Sequence, residues 1–363
     1  MFDDIYMILF ALLKNELWQE DGVELTLSED DKKRLFEAAK KQAVIGLVAN
    51  ALIRNNAAIG REWAFKALTL TKQIEASNER INGELVKFAN FMHTNKVEYR
   101  VVKGQTVATL YPNPLLRCSG DIDFYCDANN FNLTKNLVEK AIGKNVENNS
   151  AKHIEFKMNG VQYEMHSKLT EFSYGKHQEY WERILDWDIR ENKCVVRIND
   201  TDVPVLSPTI NALYIFCHIF YHLIINGIGL RQFCDLALFL DRYKEDIDKE
   251  VLDKHLKSLG IKKAFTATGY ILVELLGLKE ESFPYCISKR DRRVGKRMVA
   301  SVMEDGNWAR DKHKVKKKGV MHSIETGYIS LMQSMKYVDV APMECILRMP
   351  RLGMFFLEKL HKG

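Results

Sequence analysis

Polar and apolar residues alternate along residues 121–125, and this alternation predicts a β-strand that carries two carboxylates. Asp121 and Asp123 alternate with Ile122 and Phe124, and successive strand side chains point to opposite faces, so the two aspartates share a face. Neighbouring like charges on a strand face repel each other, and a divalent cation bound by the carboxylates removes that repulsion. The stretch therefore predicts either a magnesium-binding strand or a solvated strand end with two acidic residues.

A second alternating pattern, on both sides of Asn159-Gly160, predicts a β-hairpin. Asn-Gly between two alternating runs is a strong hairpin signal, and the arms here are residues 152–158 and 161–166. The apolar positions of the second arm share a core face, so Glu164 and His166 lie on the opposite face. Glu164 is therefore predicted to be a third carboxylate on a strand. His166 either lines the same site or is a hydrogen-bonded structural histidine.

The segment before the Asp-x-Asp strand predicts a turn that phosphate can approach. Residues 97–102 form a β-rich run that ends in Lys103-Gly104, and a short helix is expected over 105–110 before a loop with two prolines. A glycine at the head of a helix lets phosphate reach backbone N–H groups and the positive end of the helix dipole. Lys103 either adds charge there or is an ordinary surface lysine.

Helical periodicity dominates the rest of the chain, and the whole pattern predicts an α+β protein. Residues 1–96 read almost wholly as helix, with Ser28 as an N-cap, and residues 207–363 are helical again. Residues 97–206 hold strands and helices in alternation, which favours a mixed sheet. We expect residues 171–206 to be a connection whose two short strands continue the sheet or form a flap, at 194–198 and 203–206. The predicted domains are these three parts, with a mixed sheet in the middle part flanked by N- and C-terminal helical regions.

The sequence predicts where three helices begin or end. A long helix is expected over 63–95, and another over 130–142 that ends at Gly143, because glycine readily adopts the left-handed conformation at a helix end. A third helix is expected to begin at Pro208 with Ser207 as its N-cap, since proline is favoured at the first helical position.

Four polar residues on apolar C-terminal helices need partners if they are buried. His218 and His222 lie four positions apart, as do Arg231 and Asp235, so each pair shares a helix face. One hypothesis is a structural hydrogen-bonded network. A second is a wall of a nucleotide site, with Arg231 directed toward phosphates. A third is zinc ligation by His-x-x-x-His, although the glutamate of the metalloprotease motif is absent.

Together these motifs resemble the nucleotidyltransferase fold shared by DNA polymerase β, over residues 95–170. The local pattern is most similar to the bacterial uncharacterised nucleotidyltransferases. It is also similar to the toxin-type nucleotidyltransferases, whose aspartate pair likewise follows an arginine and a serine or threonine. The residues that carry the resemblance are Lys103-Gly104, Tyr111-Pro112, Arg117, Ser119, Asp121 and Asp123. The chain departs from most of the superfamily in having Gln105 after Gly104, where serine or glycine is usual. Lys103 or Ser119 would then replace the usual serine contact to the terminal phosphates.

The resemblance implies an enzyme that moves a nucleoside monophosphate from a nucleoside triphosphate to a hydroxyl acceptor and releases pyrophosphate. By this resemblance, catalysis and the binding of two Mg²⁺ (or Mn²⁺) ions would fall to Asp121, Asp123 and Glu164. The expected nucleotide-binding residues are Lys103, Gly104, Gln105, Arg117, Ser119 and Arg231. The residues expected to wall the site are His166, His218, His222 and Asp235.

Other functions remain compatible with the sequence. A catalytically inactive binding protein would keep the fold and lose metal binding, although all three carboxylates are present. A small-molecule kinase is disfavoured because its Gly-rich and His-Arg-Asp patterns are absent. Arg117 has a second interpretation as the ion-pair partner of Asp121 or Asp123, and Ser119 as a turn residue. The acceptor is left open among a small molecule, tRNA and protein.

Composition is typical of a soluble globular protein and adds little to the functional prediction. Hydrophobic residues make up 46% and charged residues 28%, and the net charge of +5 is too mild to indicate nucleic-acid binding by itself. Seven scattered cysteines indicate reduced thiols, and no run has the character of a membrane span, so we expect a cytoplasmic protein. The basic run 312–318 predicts either a solvated loop or a contact with RNA or an acidic partner.

Overall fold

The described part of the N-terminal region is helical, as predicted. The structure is a computed structural model that describes residues 4–20, 25–54, 59–146, 153–225, 227–306 and 320–348. The first helices are α1 (Asp4–Trp18), α2 (Glu29–Lys41), α3 (Ile45–Arg54) and α4 (Gly60–Thr94). The Asp31 N–H donates to Ser28 Oγ at 3.2 Å, and the Ser28 N–H donates back to Asp31 Oδ2 at 3.1 Å. This reciprocal cap confirms Ser28 as the N-cap of α2.

The central sheet is mixed, which confirms the predicted α+β class. Its strands are β1 (Arg100–Val101), β2 (Asp121–Tyr125), β3 (His153–Met158) and β4 (Val161–His166), in the spatial order β1-β2-β4-β3. β2 and β4 run parallel, and the other two pairings are antiparallel. Between β1 and β2 lies the short helix α5 (Gly104–Ala108), and between β2 and β3 lies α6 (Ala128–Ile142), which ends at Gly143 with φ of +70°.

β1 is much shorter than the strand predicted over 97–102. On its N-terminal side, the Val97 N–H still donates to the carbonyl of Met92, so this end of the segment closes α4. On its C-terminal side, the Val102 N–H donates to the Asp123 carbonyl at 3.0 Å, and Lys103 then adopts a φ of +58° that ends the extended conformation. Helix closure and a tight turn therefore leave room for only two strand residues.

One face of the sheet packs against α4. The Phe88 ring of α4 lies 4.6 Å from the Phe124 ring and 5.3 Å from the Tyr163 ring. The core positions of β4 are buried and its Glu164 and His166 are half-buried, which confirms the predicted facing of this strand. The carboxylates therefore lie on the face of the sheet opposite α4.

The hairpin of β3 and β4 is tied to α4 at its turn. Asn159 and Gly160 have φ values of +50° and +81°, the positive pair that a type I′ turn requires. The Asn159 side-chain N–H donates to Glu84 Oε2 of α4 at 2.8 Å. The predicted Asn-Gly hairpin is confirmed.

Residues 171–206 differ from the expected connection. They contain a helix, α7 (Gly175–Glu191), that the sequence analysis missed, followed by β5 (Val195–Ile198) and β6 (Thr201–Pro204). Among the described residues, β5 and β6 pair with each other and with no other strand, as a separate two-stranded sheet. Of the two predicted alternatives, a continuation of the main sheet is therefore wrong, and a flap stays a prediction.

The C-terminal region is helical, as predicted. Its α-helices are α8 (Pro208–Ile225), α9 (Leu230–Arg242), α10 (Lys249–Ser258), α11 (Lys262–Gly269), α12 (Lys289–Asp305), α13 (Val320–Met335) and α14 (Pro342–Ile346). In the described part of the chain, α8 is the one helix long and apolar enough to meet the criteria for a membrane span, and 72% of it is buried inside the protein. A core helix that is mostly buried has the same length and apolar character as a membrane span. The basic run 312–318 lies outside the described residues.

By internal contacts the chain divides into two compact units. The first comprises Met1–Phe36, Val44–Leu169 and Trp187–Asn211, and the second comprises Glu37–Ala43, Thr170–Asp186 and Ala212–Gly363. The first unit holds α1, α3, α4 and the first part of α2 together with both sheets, and the last residues of α2 belong to the second unit. The three predicted domains are a division along the chain, and their boundaries stay a prediction.

Candidate active site

Strand pairing brings two of the predicted carboxylates directly opposite each other. In the parallel pairing of β2 and β4, Asp123 is the register partner of Glu164, and Asp121 is the partner of Gln162. One ligand atom each from Asp123, Glu164 and His166 lies within 4.8 Å of the others. Glu164 is thus within reach of an ion shared with Asp123. Among the described residues, the clusters at this spacing include Asp123 and Glu164 but not Asp121.

Asp123 is buried and is held as a carboxylate by two basic side chains. Its Oδ1 lies 2.9 Å from His166 Nε2 and 3.5 Å from Lys103 Nζ. Burial alone would raise the pKa of Asp123, but the charge of Lys103 and the hydrogen bond and charge of His166 outweigh it, so the pKa lies well below its ordinary range. The site therefore keeps a negative charge at Asp123 at neutral pH, and the Lys103 ammonium and the His166 imidazole both approach the same carboxylate oxygen.

The turn that supplies Lys103 is strained. Lys103 and Gly104 have consecutive φ values of +58° and +51°, and a positive φ is unfavourable for a lysine. The Thr106 side chain closes the turn by donating its hydroxyl to the Lys103 carbonyl at 2.7 Å. Strain of this kind persists where the surroundings enforce it, and it is concentrated at functional sites. It directs Lys103 toward Asp123.

The remaining predicted nucleotide-binding residues near the sheet lie in buried surroundings. Gln105 is 3% exposed, and its side-chain N–H donates to Asn82 Oδ1 of α4 at 2.6 Å. Arg117 is 4% exposed, and its guanidinium donates to Ser119 Oγ at 2.9 Å. The structure therefore places Lys103 just before α5, Gly104 and Gln105 in the first turn of α5, and Arg117 and Ser119 in the segment that leads into β2. All five residues belong to the first compact unit.

Asn78 of α4 also supports the site, and sequence reasoning missed it. Its buried side-chain amide donates to the carbonyls of Leu115 and Arg117 at 2.7 and 2.8 Å. These bonds fix the loop that leads into β2. The only available signal was an asparagine inside a long helix, which is ordinarily a solvent-facing residue.

The model of the uncharacterised nucleotidyltransferase family matches residues 28–277, more than half of the chain. The chain belongs to this nucleotidyltransferase family. The match spans every predicted site residue, from Lys103 to Asp235.

Other comparisons add little to the family match. A solved structure of an antigenic nucleotidyltransferase-like protein from Paracoccidioides brasiliensis is 15% identical, with a TM-score of 0.33. That match covers 55% of this nucleotidyltransferase-family chain and 94% of the other. No curated protein matches the chain.

The predicted wall residues on the C-terminal helices belong to the second compact unit. His218 and His222 of α8 have ring centroids 4.4 Å apart, so they share a face as predicted. Asp235 of α9 is 4% exposed, and the Arg231 N–H donates to the Gln42 carbonyl at 3.3 Å. In the described ranges, the three-residue clusters of possible metal ligands do not include these histidines. Their role as a nucleotide-site wall stays a prediction for this family member.

Two further residues on the carboxylate face were also missed, His153 and Glu155 of β3. Glu155 is the register partner of Glu164, and His153 is the partner of His166. A two-residue hairpin turn fixes this register, so the sequence contained the signal once the turn was assigned.

Proposed function

We propose that this protein is a metal-dependent nucleotidyltransferase of the DNA polymerase β-like type. It would transfer a nucleoside monophosphate from a nucleoside triphosphate to a hydroxyl acceptor and release pyrophosphate. The observation that carries the proposal is the buried Asp123 carboxylate, kept ionised and placed opposite Glu164 by the parallel pairing of β2 and β4. Family membership supports the general reaction.

The side chains fit a hard divalent cation. Mg²⁺ and Mn²⁺ favour carboxylate oxygens, and Asp123 and Glu164 offer such oxygens within 4.8 Å of each other. Asp121, Asp123 and Glu164 would hold two ions. When bound, they would neutralise the triphosphate and the leaving pyrophosphate and lower the pKa of the acceptor hydroxyl.

The protein's own groups would position the reactants and move the proton. The Gly104 turn would offer backbone N–H groups to the terminal phosphates, with Lys103 and Arg117 adding positive charge. The acceptor oxygen would attack the α-phosphorus as the bond from that phosphorus to the β-bridging oxygen breaks. Glu164 would accept the acceptor's proton, and the electron pair would leave with pyrophosphate. His166 would hold Asp123 in place through the contact at 2.9 Å.

The test is transfer of label from nucleoside triphosphates labelled at the α-phosphate, incubated with cell extract and Mg²⁺ or Mn²⁺. Substituting Asp123→Asn should reduce transfer roughly a hundredfold or more with the fold retained, because even groups behind metal ligands can cost that much. Asp200→Asn is the matched control, since the side chain of Asp200 is fully exposed. A transfer rate unchanged by Asp123→Asn would remove Asp123 from the mechanism.

The same experiment assigns the acceptor. Label in tRNA or in protein would indicate a toxin-type nucleotidyltransferase, and label in small molecules would indicate a biosynthetic or modifying enzyme. The opposing hypothesis is an inactive binding protein of the same fold. It predicts no transfer and no heat on titration with Mg²⁺ and ATP. We assign the enzyme to the cytoplasm within this proposal, since its seven cysteines are free thiols.

A further inference from the structure

Acidic side chains from three neighbouring strands form a row across the carboxylate face. Asp123 of β2 is paired with Glu164 of β4, and Glu164 is paired in turn with Glu155 of β3. Like charges directly opposite each other on paired strands are destabilising. Lys103 and His166 compensate Asp123 at one end of the row. At the other end of the row, on β3, lies His153, the register partner of His166.

The spacing at this second end suits an ion held between the groups. His153 Nε2 lies 3.5 Å from Glu155 Oε1 and 3.8 Å from Glu164 Oε1. Direct N–H···O hydrogen bonds are shorter, about 2.7–3.2 Å. By contrast, ligand atoms held by Zn²⁺ at about 2.0–2.1 Å in tetrahedral geometry lie roughly 3.4 Å apart. Ligand atoms of His153, Glu155 and Glu164 all lie within 4.8 Å of one another.

We propose that His153, Glu155 and Glu164 form a second divalent-cation site, here called the edge site because β3 is an edge strand of the sheet. One imidazole and two carboxylates are a ligand set suited to Zn²⁺ or a similar transition-metal ion, whereas Mg²⁺ favours oxygen ligands alone. The three side chains are 30%, 44% and 26% exposed. This exposure gives an ion a path of entry and leaves room for water as a fourth ligand.

Glu164 connects the edge site with the carboxylates of the candidate active site. Its Oε1 lies 3.8 Å from His153 Nε2 and 3.7 Å from His166 Nε2. The same oxygen thus belongs to both clusters. The edge site does not depend on the proposed nucleotidyl transfer, because its existence is measured by metal binding alone.

The experiment uses the full-length protein, stripped of metal by chelation and desalting. Zn²⁺ is titrated in competition with a chromophoric chelator, and Co²⁺ is substituted to record its visible absorption, which reports the ligand geometry. We expect one zinc site. His153→Gln and Glu155→Gln should each weaken Zn²⁺ affinity by at least about tenfold and abolish the Co²⁺ band, since these are direct ligands.

Two control variants separate this site from adventitious binding. His93→Gln removes an exposed histidine of α4, and Lys157→Gln changes an exposed residue on the same strand and face as Glu155. Both should leave the Zn²⁺ affinity unchanged. Thermal melts in chelator check the fold. Where Glu155→Gln fails to fold, Glu155→Asp keeps the charge, withdraws the oxygen by one methylene, and should still weaken Zn²⁺ binding.

Three results would overturn the edge site. The first is a Zn²⁺ affinity that His153→Gln does not change, which would show that His153 is not a metal ligand. The second is an equal loss in His93→Gln. The third is a parallel loss of Mg²⁺ affinity in Glu155→Gln, which would merge the edge site with the magnesium site. If Asp123→Asn does not affect nucleotidyl transfer, the proposed function fails, but the edge site is not contradicted.

Discussion

Replacing Lys103 with methionine should destabilise the protein through Asp123, in a way that depends on pH. Lys103 Nζ lies 3.5 Å from Asp123 Oδ1, and the two side chains are 14% and 9% exposed. Methionine matches the unbranched stem of lysine, so the substitution removes the charge without adding a β-branch at the strained φ of +58°. The variant thus isolates the electrostatic contribution of the ammonium group.

The size of the effect follows from the distance. Two unit charges at this separation attract by about 4–5 kcal/mol at an effective dielectric constant of about 20. Part of this attraction is offset by the cost of burying the lysine charge, and His166 still contacts Asp123 in the variant. We therefore expect the free energy of unfolding at pH 7 to fall by about 3 kcal/mol.

The pH dependence gives the sign of the contribution. Because the pKa of Asp123 is lowered in the folded protein, its ionisation stabilises the fold above the unfolded value of about 3.9, and this stabilisation is lost as the pH falls through the lowered pKa. The difference between wild type and Lys103→Met should therefore be constant from pH 7 to about pH 5 and shrink under more acidic conditions. Urea unfolding curves measured across this pH range give the difference directly.

The controls are Lys103→Arg, which keeps the positive charge, and Lys157→Met, which removes an exposed lysine. Lys103→Arg should recover most of the lost stability, and Lys157→Met should match the wild type. A Lys103→Met loss that keeps the same size as the pH falls from about 5 through the lowered pKa of Asp123 would refute the ion-pair explanation, because the effect would then come from packing. No loss at all would show that Lys103 does not stabilise the Asp123 carboxylate.

Glycine substitutions give three further predictions. Gly83→Ala in α4 should stabilise the protein by about 0.5–1 kcal/mol in chemical denaturation, because its Cβ meets no atom within 4 Å. Gly46→Ala in α3 should lower the free energy of unfolding by about 2 kcal/mol or more, because the new Cβ would collide with the backbone carbonyl oxygen of Leu116. Equal effects of Gly83→Ala and Gly46→Ala would contradict the packing of α3. Gly104→Ala should lower the free energy of unfolding by about 1–2 kcal/mol, because Gly104 has a φ of +51°. The variant should also bind nucleoside triphosphate more weakly in titration calorimetry. Unaltered nucleotide affinity would argue against a phosphate-binding turn.

The strands and the facing of their side chains were predictable because alternation and turn chemistry are local signals. The Asn159-Gly160 turn fixes the pairing of β3 with β4, so the position of Glu155 opposite Glu164 follows by counting. The parallel register of β2 with β4 was not predictable in this way. It depends on how α6 and the aromatic core seat the two strands, and no local pattern encodes that.

α7 was missed because polar residues occupy two of its buried positions. His177 contacts Glu344 at 2.6 Å, and Asp188 accepts hydrogen bonds from the side chain of Asn192 and the N–H of Ser207. Buried polar groups that find such partners cost little in the fold. In the sequence, however, they interrupt the apolar spacing by which an amphipathic helix is recognised.

The hydrogen bond between Asn159 and Glu84 limits the insertions that the hairpin can accept. Because the tip of the hairpin is anchored to α4, one residue inserted between the tip and Glu164 would turn Tyr163 toward the carboxylate face and drive Glu164 into the apolar layer. An insertion of two residues would preserve the inward and outward sides of the strand. Natural relatives should therefore vary in this arm by even numbers of residues.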